Sequence, residues 1–300
     1  EADRVGFGLM APAGFAPQGF VGMFEKLQQA NRINDNGSWP YLRSHPLTTQ
    51  RVADMQSRLP TGGAAPPAPT LEHGMLAARA RVLSNPGVDV LRQWQAEPQG
   101  VGFSALPPAR QAAVLYAAVL AASQLREAAA ARVLLPRLQQ AVQAVQGDAL
   151  AVRQVGLLAA EVELAAGDAA RALALVPAGP GRPELLLRAQ ALLRSPAPAQ
   201  AAPDMAGKLQ TWVALHPRDA GAWQLLASVW QAQGQVLRAV RAEAEAHAAR
   251  YDYAAAVDRL RAGQDLARQS RTAADHVEAS IIDTRLRAVE SLLREQTAER

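Results

Sequence analysis

Pro217-Arg-Asp-Ala-Gly-Ala-Trp-Gln-Leu-Leu-Ala-Ser-Val-Trp-Gln-Ala-Gln-Gly-Gln-Val-Leu-Arg-Ala-Val-Arg-Ala-Glu-Ala-Glu-Ala246 is the stretch on which the fold turns. Trp223, Leu226, Ala227 and Trp230 recur at i, i+3, i+4 and i+7, which places them on one face of a helix. Gly234 follows where a helix end favours a residue able to take positive φ. Ala239 and Ala246 then give a second helix a stripe of small side chains, seven residues apart, where it can cross the first at close range. Just upstream, His216-Pro217 ends whatever helix comes before, because proline cannot continue one. The spacing therefore predicts a helical hairpin, with Trp223, Trp230 and Trp212 packed between helices.

Weaker copies of the pattern flank it. Ala159 and Ala160 precede Gly167, and Ala172 follows five residues later; Arg250, Ala255 and Ala262 repeat the Gly234–Ala239–Ala246 offsets. Tyr116, Ala117, Leu120 and Ala129 suggest a further unit near the start. Large residue, small crossing residues, turn residue and terminal Pro in this order resemble the tetratricopeptide repeat, whose units of about 34 residues stack as antiparallel helix pairs. Glu243 stands where that family prefers a bulky residue, several units lack the terminal Pro, and the count falls between about three and five. The resemblance implies an all-α, tetratricopeptide-like helical-hairpin array that binds other proteins on its concave face. Mapping the repeat onto this chain puts Gln224, Ser228 and Gln231 on that face, with Gln154 and Glu161 in an earlier unit.

Composition agrees with helices. Of 300 residues, 49% are hydrophobic but only 5% aromatic, so Ala, Leu and Val carry the apolar surface. The pI of about 9.9 accompanies a formal charge of only +4, and all basic residues but Lys26 and Lys208 are Arg. A small Arg surplus raises pI without a dense positive field, and the arginines alternate with acids, as in Arg238–Glu245. Nucleic acid is therefore not an expected partner. With no cysteine, disulfides and Cys-ligated metals are excluded. No apolar run approaches the roughly 18 residues of a spanning helix.

The chain divides at Leu59-Pro-Thr-Gly-Gly-Ala-Ala-Pro-Pro-Ala-Pro-Thr70, where four prolines and two glycines exclude helix and strand. Residues 1–59 form one block, 60–70 a linker and 71–300 the helical region, itself interrupted at Ser195-Pro-Ala-Pro-Ala-Gln-Ala-Ala-Pro203. Within the first block, helices are expected at 1–13, 17–32 and 47–58, and Asn34–Ser38 reads as a loop.

That first block resembles another family. Glu1-Ala-Asp-Arg-Val-Gly-Phe-Gly-Leu-Met10, Ala13-Gly-Phe-Ala-Pro17, Phe24-Glu-Lys-Leu27 and Tyr41-Leu-Arg-Ser-His-Pro-Leu-Thr-Thr-Gln-Arg-Val-Ala-Asp-Met55 are similar to the region after the zinc site in HtpX-like and BepA-like metallopeptidases. A truncated helical piece of such a zincin-type domain followed by a tetratricopeptide array is the BepA-like arrangement. The resemblance implies a periplasmic protein with a zinc-dependent protease and chaperone-like role, acting on unfolded or assembling outer-membrane proteins or their assembly machinery. In that family two His of H-E-x-x-H and a Glu four residues before an Asp hold the zinc. The Asp matches Asp3, which places the ligand Glu before residue 1, so the N-terminus reads as cut from something longer. None of His45, His73, His216, His247 and His276 lies in H-E-x-x-H. The implied cofactor is therefore zinc in the intact parent and none in this fragment, which is expected to have no peptidase activity.

Two residues keep an implied place beside the missing zinc. Asp3 matches a carboxylate that orients a ligand His through its other N–H, or else is a charge favourable to a helix start. His45 matches a loop His that plugs the open zinc position, or else is a loop residue held by Pro46. Arg51 and Asp54 read as a solvated or locally paired helix face. Cut from their domain, Phe15, Phe20 and Phe24 are expected to be exposed or repacked, with self-association as a possible outcome.

Overall fold

The computed structural model describes residues 1–31, 49–60, 70–84, 86–145, 148–196, 198–269 and 273–298. All regular structure among them is helical: fifteen α-helices and two short 3-10 turns. The chain forms two compact units, Glu1–Pro69 and Thr70–Arg300.

In the smaller unit, α1 (Ala2–Met10), α2 (Pro17–Asn31) and α3 (Thr49–Ser57) match the expected helices, while Asn34–Ser38 and His45 lie outside the described residues. Val21, Phe24, Val52 and Met55 form its core, with Phe7, Phe20 and Leu59 packed on it. Of the phenylalanines expected to be exposed or repacked, Phe15 is exposed and Phe20 half-buried. Phe24 is buried and stacks against Phe20 at 5.0 Å, because α3 supplies Val52 and Met55 as a cover. Arg51 pairs beyond its own helix. Its Nε and Nη2 donate to both oxygens of Asp3, 48 residues away, at 2.6 and 2.7 Å, and its guanidinium lies over the Phe24 ring. This pair joins α1 to α3 and holds the Asp3 carboxyl below its usual range.

The larger unit is an array of helical hairpins: α4 (Leu71–Leu83), α5 (Val88–Ala96), α6 (Pro108–Gln124), α7 (Ala128–Gln143), α8 (Ala149–Ala165), α9 (Ala169–Leu175), α10 (Arg182–Leu193), α11 (Pro198–Leu215), α12 (Ala220–Ala232), α13 (Val236–Ala248), α14 (Tyr253–Gln269) and α15 (Ala273–Ala298). Thr70 belongs to it rather than to the linker, since its hydroxyl accepts from His73 N and caps α4. The predicted hairpin at Gly234 is α12 and α13, with Leu226, Ala227 and Trp230 essentially buried and Trp212 and Trp223 partly so.

One turn is used four times. Arg126, Gly167, Gly234 and Tyr251 each take positive φ one residue before a helix N-cap. At each, the next residue's N–H reaches back five residues: Glu127 to Ala122 O, Asp168 to Glu163 O, Gln235 to Trp230 O and Asp252 to His247 O, all at 2.9–3.1 Å. These are Schellman closures, which satisfy the orphan carbonyls of a helix end. Five residues after each comes a buried alanine: Ala131, Ala172, Ala239 and Ala256, none more than 2% exposed.

That register corrects two expectations. The copy assigned to Arg250, Ala255 and Ala262 is shifted by one, to Tyr251, Ala256 and Gly263, all three of the latter carrying the turn and crossing roles. The crossing residue of the first hairpin is Ala131, and Ala129 is exposed. A turn built on Arg or Tyr carries no glycine to mark it, so the sequence fixes it only loosely. The Pro-rich interruption is likewise shorter than expected. α11 begins at Pro198, a first-turn position where the missing N–H costs nothing, and continues through Pro203.

Consecutive hairpins are also tied by charge. Arg132 donates to Glu163, Arg153 to Glu184 at 2.5 and 2.9 Å, Arg241 to Glu278 and Arg285 to Glu245 at 2.6 and 2.7 Å. Glu163 and Glu184 are essentially buried, and each is met by a guanidinium that stays partly in water. The arginines that alternate with acids along one helix thus pair between helices.

Candidate protein-interaction groove

Helices α4 to α12 of even number meet one another directly: α8 touches α4, α6 and α10, and α10 touches α12. They make one layer of the array, and a cavity of about 410 Å³ opens on it where α4, α6, α8 and α10 converge. Asp148 starts α8 by accepting from Ala151 N at 2.8 Å. Two turns of that helix then carry Gln154 and Glu161, seven residues apart, to the cavity wall.

Glu161 is not a free hydrogen-bonding group. Arg79 of α4 grips it with two bonds, 2.7 and 3.1 Å, and also donates weakly to the Tyr116 hydroxyl at 3.4 Å. The Glu161 bond pushes the Arg79 pKa upward, so the guanidinium stays charged. Burial raises the Tyr116 hydroxyl above its ordinary value, and it remains a neutral O–H. Leu76, Leu157 and Leu186 supply apolar surface, and Gln154 shares the lining with Gln190 of α10. Among the described residues, the amides of Gln154 and Gln190 have no hydrogen-bond partner. Such an arrangement offers donors and acceptors for peptide groups with apolar contact between them.

At the far end of α10, Arg182 clamps Asp219 at 2.6 and 2.8 Å. Asp219 also accepts from the Trp212 indole at 2.9 Å and caps α12 through Ala222 N. The Arg182 bonds come first among the causes that lower its pKa to about 2.

Gln154 and Glu161 are thus brought together. Gln224, Ser228 and Gln231 lie apart from them on α12: both glutamines are exposed, and the Ser228 hydroxyl is spent on its own helix, donating to Gln224 O. Arg79, Arg182 and Gln190 escaped sequence reading because they reach the groove from other helices. Tyr116 was read as a repeat marker only.

His45 lies outside the described residues, and both Asp3 oxygens are held by Arg51. Among the described residues, no three His, Cys, Asp or Glu side chains converge as a metal-ligand set. No helix among them is long and apolar enough to cross a membrane. In comparison with known proteins, no protein family and no curated sequence gives a significant match to the chain.

Proposed function

We propose that the chain is a protein-interaction module of a periplasmic, zinc-dependent, BepA-like peptidase, in which a tetratricopeptide-type array docks unfolded clients or the outer-membrane protein assembly machinery. The observation that carries the docking part is the groove of α4, α6, α8 and α10, where Gln154 and Gln190 share the lining with leucines and have no hydrogen-bond partner among the described residues. These groups suit extended backbone, whose amides need partners once desolvated. The pairing of the two family-like segments supports the peptidase part. Interhelical pairing of the arginines favours protein over nucleic acid as the partner, since paired cations do not make a phosphate-binding stripe.

The test is titration of an unfolded outer-membrane β-barrel protein, followed by fluorescence anisotropy. Gln154→Ala with Gln190→Ala, and separately Gln224→Ala with Gln231→Ala, should each weaken binding about fivefold, equivalent to roughly 1 kcal/mol of lost hydrogen bonding. Unchanged affinity in both double variants refutes the docking face. A second reading, a free-standing scaffold with no peptidase link, is favoured by the engagement of Asp3 with Arg51. Zinc content and chelator-sensitive proteolysis of the natural full-length protein separate the two.

A further inference from the structure

A second cavity, about 520 Å³, lies elsewhere in the array, walled by α11, α12, α13 and α15 and by the turn before α14. Pro217, Arg218, Trp223, Tyr251, Tyr253 and Leu292 dominate it. Three aromatic side chains meet there in a chain with only five Trp and four Tyr. The Trp223 indole N–H is committed to Pro217 O at 3.0 Å, so the ring has apolar surface but no donor to offer. Tyr251 and Tyr253 touch edge to face at 6.3 Å, and neither hydroxyl has a hydrogen-bond partner among the described residues.

Tyr251 is the telling residue. Its φ of 63° is the left-handed value that Gly167 and Gly234 take in the same turn. Glycine adopts that conformation without strain, and tyrosine does not. The turn therefore gains nothing from tyrosine, yet the ring stays 57% exposed on the cavity wall. Strain held at a surface aromatic points to use of the side chain.

The charge at this cavity is one-sided. Its acid, Glu245, is held by both Nε and Nη2 of Arg285, whereas Arg218 has no ion-pair partner among the described residues. From these observations we infer that this cavity binds a proline-rich extended segment that carries an acidic residue. A polyproline II chain makes no internal hydrogen bonds, so its carbonyls can accept from the two tyrosine hydroxyls. Its proline rings pack on the Trp223 and Tyr251 faces, and its carboxylate answers Arg218.

The experiment is anisotropy of the full chain with a fluorescein-labelled hexaproline peptide ending in two glutamates. A hexaproline ending in two lysines and an alanine-rich helical peptide ending in two glutamates serve as comparisons. The acidic proline peptide should bind about tenfold more tightly than either. Tyr251→Gly should weaken it about tenfold while leaving the urea midpoint equal or higher, which a merely structural tyrosine would not do. Arg218→Glu should invert the preference between the acidic and basic proline peptides. Unchanged binding by folded Tyr251→Gly, equal binding of the helical peptide, or no saturable binding overturns the inference. A dimer of the wild type that Tyr251→Gly dissolves would also overturn it, by giving the cavity to a second copy.

Discussion

Removing the Asp219 carboxylate should loosen the joint between α10, α11 and α12. Asp219 accepts two bonds from Arg182, one from the Trp212 indole and one from Ala222 N. Loss of a helix N-cap costs about 1 kcal/mol. A partly buried indole N–H left without its acceptor costs about 1 kcal/mol more. The bonds of the carboxylate together, net of the burial that opposes them and with Arg182 first among them, hold it at about 2 against an ordinary 3.8, which corresponds to ~2.5 kcal/mol at neutral pH. Arg182 is half exposed, and water recovers much of that, leaving about 1 kcal/mol. Asp219→Ala should therefore lose about 2–3 kcal/mol in urea denaturation at pH 7, and Asp219→Asn, which retains an acceptor for the cap, about 1 kcal/mol. The lowered pKa fixes the sign of the pH effect. The carboxylate's contribution is fully present above the unfolded value of 3.8 and is lost as pH falls through about 2. The gap between wild type and Asp219→Asn should then close between about pH 5 and pH 2. A loss under about 0.5 kcal/mol for Asp219→Ala at pH 7, or a gap that does not narrow in acid, refutes the joint.

Other perturbations follow from single contacts. A Cβ at Gly181 would sit 2.5 Å from Glu184 Oε2 and 3.0 Å from Arg153 Nη2, so Gly181→Ala should break that buried pair and cost about 2–4 kcal/mol in the urea transition. Arg126→Gly should raise stability by about 1 kcal/mol, read as a higher melting temperature, because φ at that turn is 63° and the side chain is exposed. Trp230→Ala empties a 1% exposed site between α12 and its neighbours and should cost about 3–5 kcal/mol. Amide hydrogens of α1, whose unit has four buried hydrophobic core residues, should exchange faster than those of α12; equal protection would contradict that.

Helices and their order were legible because apolar spacing and glycine act locally. Trp223, Leu226, Ala227 and Trp230 lie within eight residues, and the period alone puts them on one face. The Gly234 turn announced itself through the one residue that takes positive φ freely, and Gly167 did the same. Where arginine and tyrosine make that turn the local mark vanishes, and the register at Tyr251 was set instead by Ala256 and Gly263 packing on neighbouring helices. Prolines misled at 198–203, because their cost depends on where a helix begins rather than on how many prolines stand together.

The sequence by itself thus determined the helical hairpins and the placing of Gln154 and Glu161 on one helix face. Tertiary structure decided which groups remain available to a ligand. Glu161 is taken by Arg79, 82 residues away, Asp3 by Arg51, and Glu245 by Arg285, while the side chains of Gln154, Gln190 and Arg218 have no hydrogen-bond or ion-pair partner among the described residues. The reason is one of range: periodicity orients a side chain on its own helix, but only the packing of helices distant in sequence decides whether another charge reaches it.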